Sequence, residues 1–169
     1  MTKSELIEFY EYHCWANARL FEVINQLSAE EFAQEVAGSY GSVCNTLVHI
    51  LSAEWGWLSR CGGQERGRAL QASDFPDAGS LRAKMYEVEG YVRSFLSQHD
   101  DASIMSEVEY VGGGSEKRRM PIMELMHHAL NHAVHHRGQV ALLLRMLGHR
   151  PGNFDMLFYY AEKRGVKAW

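Results

Sequence analysis

His127-His128-Ala129-Leu130-Asn131-His132-Ala133-Val134-His135-His136-Arg137-Gly138-Gln139 holds five of the chain's nine histidines within ten residues. Val140-Ala141-Leu142-Leu143-Leu144-Arg145-Met146-Leu147 continues it as an apolar helix, which Gly148 stops and Pro151 keeps from resuming. Pro121 stands where proline favours the first helical turn, so the spacing predicts one helix over 121–147. Its inward face is Ile122, Leu125, Ala129, His132, Ala133, His136, Val140, Leu143 and Leu147. His132 and His136 lie on that face one turn apart. His128 and His135 flank it, and His127 points away. Buried imidazoles need partners for their nitrogens. A shared metal ion is one partner; hydrogen bonds in a metal-free core are another. The zinc-protease signature is excluded, because Ala133 follows the first histidine where that chemistry needs a glutamate.

Two ligands hold an ion weakly, so a third is expected from another inward-facing helix. The helix predicted over 43–60 places Val43, Leu47, Ile50, Leu51, Glu54 and Leu58 on one side, with His49 on the flank. The helix predicted over 4–27, capped by Ser4, carries Leu6, Phe9, Tyr10, His13, Asn17, Leu20, Ile24 and Leu27 on one face. His49 is the first candidate for the third ligand and His13 the second. Three imidazoles leave coordination positions open, which is the catalytic arrangement. They suit zinc, nickel, iron or copper. Asn17, Glu54, Gln139 and Asp155 are available to accept the second ring N–H of a ligating histidine. His127, His135 and His149 read as solvent-facing without a role, and nothing singles out His99 or His128.

The remaining segments complete an all-α plan. Ser28 caps a short turn through Phe32, and a linker of about nineteen residues runs from Cys61 to Gly79. A third long helix, capped by Ser80, is predicted over 80–99 with Leu81, Met85, Val88, Val92, Phe95 and His99 on its face. Alternation within 104–120 around Gly112-Gly113-Gly114 predicts a small β-hairpin. A short aromatic helix is predicted over 154–164. The expected architecture is an antiparallel four-helix bundle with one long crossover, the hairpin preceding the last long helix, and a single domain over residues 1–169. A formal net charge of −4 gives no basis for binding nucleic acid or an anionic membrane. The N-terminus does not read as a signal peptide, and no apolar run is long enough to span a membrane. Cys14, Cys44 and Cys61 are odd in number and far apart, as expected of free thiols in the cytoplasm.

Three blocks in order carry a family resemblance. They are Tyr12-His13-Cys14-Trp15-Ala16-Asn17-Ala18-Arg19-Leu20, Ser42-Val43-Cys44-Asn45-Thr46-Leu47-Val48-His49 through Leu58, and Asn131-His132-Ala133-Val134-His135-His136-Arg137-Gly138-Gln139-Val140. Together they resemble the DinB/YfiT-like family of four-helix-bundle metalloenzymes across most of the chain. The resemblance implies a metal triad of His49, His132 and His136 holding one divalent transition metal, zinc or nickel ahead of iron. It also implies a homodimer. Characterised relatives include a mycothiol-dependent isomerase and bacillithiol S-transferases. The implied activity is therefore metal-dependent chemistry on a small molecule with a low-molecular-weight thiol. The alternative is a non-catalytic stress-response dimer with a structural metal. His13 stands where the family more commonly shows another polar residue, which leaves open a fourth ligand or a substrate contact there. In an S-transferase, Trp15, Trp55, Trp57 and the aromatic final helix would wall an apolar substrate site, although such aromatics more often pack in the core.

Overall fold

Thr2 and Glu5 start the first helix with a reciprocal capping box. The Glu5 amide donates to Thr2 Oγ1 at 3.2 Å, and the Thr2 amide donates to Glu5 Oε2 at 2.7 Å. The predicted cap, Ser4, lies inside the helix, because Thr2 is the residue three positions before a glutamate. A computed structural model describes residues 1–36, 38, 40–63, 67–111 and 116–168. The helices are α1 (Lys3–Ile24), α2 (Ala29–Ala33), α3 (Val43–Cys61), α4 (Ala78–Ser97), α5 (Ile122–Met146) and α6 (Met156–Lys163). Strands β1 (Glu107–Val111) and β2 (Lys117–Pro121) pair antiparallel, with Val108 opposite Met120. The predicted glycine turn at 112–114 and linker residues 64–66 lie outside the described residues.

Two boundaries differ from expectation for local reasons. Pro121 ends β2 and serves as the N-cap of α5, because it already pairs with Glu107 in the hairpin. Asp77, not Ser80, caps α4: the Ser80 amide donates to Asp77 Oδ1 at 2.7 Å. Gly148 (φ +88°) closes α5 in the left-handed conformation, and the His149 amide returns to the Leu144 carbonyl at 2.8 Å.

Side-chain contacts fix the helix directions. His49 of α3 meets His132 and His136 of α5, whereas Trp57, two turns on, meets His128, so these helices run antiparallel. Phe9 meets His127 and His13 meets Arg137, so α1 and α5 run parallel. Glu11 pairs with Arg93 and Phe21 lies under Arg82, making α1 antiparallel to α4. It follows that α3 and α4 are parallel neighbours. A parallel pair requires the chain to travel back the length of a helix, which is the physical reason for the long 62–77 connection. Among its described residues, the turn Ala72–Asp74 packs against α3 and Phe75 is buried.

Because α5 packs against both α3 and α1, its buried surface is wider than one stripe. Met123, Met126, Leu130, Arg137, Ala141 and Leu144 join the predicted face, while His132 and Leu147 are only half-buried. Cys14, Cys44 and Cys61 are buried free thiols. Among the described residues no helix is long and apolar enough to cross a membrane.

Candidate metal centre

One ligand atom from each of His49, His132 and His136 lies within 4.8 Å of the other two. His49 Nε2 is 2.9 Å from His132 Nε2. Imidazole–metal bonds are about 2.0–2.1 Å, so nitrogens sharing one ion stand roughly 3–4 Å apart. The spacing and the all-imidazole donor set therefore fit a single transition metal. No other group of three histidine, cysteine or carboxylate side chains among the described residues converges in this way.

The surroundings hold the rings in ligand form. His136 Nδ1 is 2.6 Å from Gln139 Oε1. An amide oxygen only accepts, so Nδ1 carries the proton and the Nε2 lone pair is left for another partner. The Gln139 amide nitrogen in turn donates to His135 Nε2 at 3.1 Å, which fixes the glutamine's own orientation. Burial, followed by the neighbouring His136 and His49, pushes the His132 imidazole down to about 4. Burial also lowers His136, against the opposing pull of Gln139. Both rings are thus neutral at neutral pH, as metal ligation requires.

Tyr40 completes the cluster and was not a sequence candidate. Its ring stacks on His49 at 4.0 Å, meets His136 in a T-shaped contact, and carries its hydroxyl 3.0 Å from His49 Nε2. A cleft of about 420 Å³ opens beside it, lined by Tyr40, Asn45, Val48, His49, Ser52 and linker residues 69–72. Linker residues 69–72 therefore wall the cleft at His49.

His13 lies elsewhere. It belongs to a buried cluster with Asn17, Glu54 and Arg137 that joins α1, α3 and α5. Arg137 Nη1 donates to His13 Nδ1 at 2.9 Å and to Asn17 Oδ1 at 3.3 Å. His13 Nε2 faces Glu54 Oε2 at 3.3 Å and the Asn17 side-chain amide nitrogen at 2.9 Å. Tyr10 donates to Glu54 Oε1 at 3.1 Å. Burial drives the Glu54 carboxyl upward, but His13, Tyr10 and Arg137 outweigh it and hold the group below the usual range. Of the second-sphere candidates, Gln139 reaches a triad histidine; Asn17 and Glu54 serve His13, and Asp155 is the N-cap residue of α6.

Two further readings change. The three tryptophans do not wall one site. Trp15 lines a cleft with α6, Trp55 one with Tyr91, and Trp57 contacts Tyr110, His128 and the Arg60 guanidinium. His149 is not free in solvent: its Nε2 lies 3.2 Å from Glu31, because the turn after α5 comes down on α2. His127 and His135 are exposed, as is His128 against Trp57. His99 is half-buried and donates from Nδ1 to the Phe95 carbonyl.

A mostly helical protein with three converging histidines is the class this geometry defines. The chain belongs to the DinB family, whose model matches residues 1–165. It is 25% identical over 168 residues to Protein DinB of Bacillus subtilis (strain 168), covering 95% of this chain and 96% of that protein. It is also 25% identical over 144 residues to the uncharacterized protein YizA of the same organism, covering 84% and 87%. A crystal structure of a DinB-like protein from Bacillus cereus ATCC 10987 shares the fold. Its TM-score is 0.65 at 22% identity, over 90% of this chain and 97% of that one.

Proposed function

We propose that this chain is a divalent-metal-dependent enzyme acting with a low-molecular-weight thiol, of the S-transferase or isomerase type. The supporting observation is the convergence of three imidazoles from two helices beside a cleft. In this reading α1, α3, α4 and α5 form a four-helix bundle that brings α3 and α5 together. His49, His132 and His136 hold the ion, with zinc or nickel ahead of iron, and Gln139 orients His136. The bound metal would supply a Lewis acid that keeps a thiol or water deprotonated near neutral pH. Burial keeps His132 free of the proton that would compete for its lone pair. Val48, Leu70 and Ala72 offer apolar surface for an electrophile, with Ser52 and Gln71 as the polar edge. We read the protein as a cytoplasmic homodimer that works on a small molecule, with no nucleic-acid or membrane partner.

The reading is tested by elemental analysis of protein purified from metal-replete medium. Wild type is expected to carry one ion per chain. His132→Ala and His136→Ala are expected to carry none, and His127→Ala to keep its ion. Equal metal in wild type and both triad variants would overturn the assignment. A non-catalytic brace between α3 and α5 uses the same three histidines, but the cleft at His49 favours chemistry over bracing.

A further inference from the structure

Tyr40 stands two residues before the cap of α3, and the first turn of that helix holds it in place. The Asn45 side-chain amide donates to the Tyr40 carbonyl at 3.1 Å, and the Asn45 main-chain amide donates to Ser42 Oγ at 3.0 Å. Gly41 (φ +85°) makes the bend that turns the loop into the helix, and its carbonyl accepts from the Val36 amide. Although 44% exposed, the phenol ring is thus anchored at its backbone and stacked on a candidate ligand.

The stacking decides what the hydroxyl can do. An ion bound to an imidazole lies along the nitrogen lone pair, in the plane of the ring. The Tyr40 ring is nearly parallel to that plane, at 20°, and displaced from it, with a centroid separation of 4.0 Å. Its oxygen therefore stands beside the His49 nitrogen, off the line along which an ion would lie. Three imidazoles leave a fourth position for a donor from outside the protein. Tyr40 also borders the cleft that His49 lines.

We propose that Tyr40 is a positioning residue: its hydroxyl donates a hydrogen bond to the thiolate sulfur at the position the three histidines leave open. This rests on the metal-and-thiol reading above. No bond to the protein forms or breaks. The thiol proton passes to solvent as the sulfur binds the ion, and the phenol keeps its own proton. The same contact would favour a small anionic donor over a neutral one, because hydrogen bonds to charged groups are the stronger kind.

The test uses Co(II) as the metal and 2-mercaptoethanol as the thiol, followed through the sulfur-to-cobalt charge-transfer absorption. Tyr40→Phe keeps the ring and its stacking and removes only the hydroxyl. It is expected to bind Co(II) like wild type and to need about tenfold more thiol for half-saturation. An unchanged thiol midpoint in Tyr40→Phe overturns the role of Tyr40 alone. A tenfold or greater loss of Co(II) affinity in that variant also overturns it, since the phenol oxygen would then be a ligand. Failure of wild type to take up Co(II) overturns the metal reading itself. Uptake without a thiolate band overturns the thiol assignment, and this proposal with it.

Discussion

His136 and Arg137 are consecutive on α5, yet they serve two clusters of opposite character. Arg137 faces α1 and is 1% exposed. It meets His13 and Asn17 there, with Glu54 beyond, so its charge is set against a carboxylate within the core. Its Nε and Nη2 have no hydrogen-bond partner among the described residues, and its guanidinium lies 5.6 Å from the Tyr12 ring centroid. His136 faces α3 and meets two further histidines beside a cleft. The first cluster pairs an acid with a base. The second gathers groups of one kind, which have no charge with which to neutralise one another. Like groups brought together in this way need an outside partner, and this contrast is what separates a candidate site from a structural network.

Breaking the first cluster should cost the most stability. Arg137→Ala is expected to lower the unfolding free energy by about 3–5 kcal/mol, because the buried Glu54, His13 and Asn17 cluster loses the guanidinium that holds it together. Adding Glu54→Leu should recover much of that loss, since the buried carboxylate goes too. Chemical denaturation of the single and double variants checks this. If the single variant costs under 1 kcal/mol, Arg137 is not the partner that makes burial of Glu54 tolerable. Metal bound per folded molecule should be unaffected by either change.

The second cluster should respond in affinity. Gln139→Ala frees the His136 ring to rotate and removes the acceptor that fixes its tautomer. A loss of roughly 10–100-fold in metal affinity is expected, with stability of the metal-free protein changed little. Competition with a chelator of known affinity measures it, and equal affinity would show that packing alone orients His136.

Acid should separate the clusters by range. The unfolded chain takes up a proton on His132 near 6.5, while the folded protein refuses it until about 4. The metal-free protein therefore keeps its full stability above about pH 6.5 and loses it as pH falls toward 4. Glu54 is also held below its ordinary value, 4.5, so its contribution is present above that pH and lost below it. Denaturation series from pH 7 to 3 should show the histidine loss first and the Glu54 loss further down. In a His132→Asn background the earlier loss should shrink. An unchanged profile would place it on another group.

The helical pattern was legible because apolar spacing on α1, α3 and α5 is local information. So was the choice of His132 and His136 from five histidines, since one helix's period decides which of them face inward. Glu54 was visible on the apolar side of α3 and His13 on that of α1, but their meeting was not. Nothing in the sequence analysis singled out Arg137. It is buried because α5 packs against two helices, and the second packing direction is written in α1, more than a hundred residues earlier. The same cause moved His13 away from the metal candidates. Its position on α1 is inward, but inward on that helix means toward Arg137 and Glu54.

By itself the sequence determined which segments are helices, where they stop, and which faces are apolar. Those depend on caps, prolines, glycines and spacing within a few residues. The tertiary structure alone decided which inward faces meet. It brought His49 of α3 to His132 and His136, put Tyr40 from a loop against them, and folded the 69–72 linker into the wall of the cleft at His49. The reason is that α3 and α4 run parallel, so the chain must cross back along α3. Packing direction is a property of pairs of surfaces, and no single segment carries it.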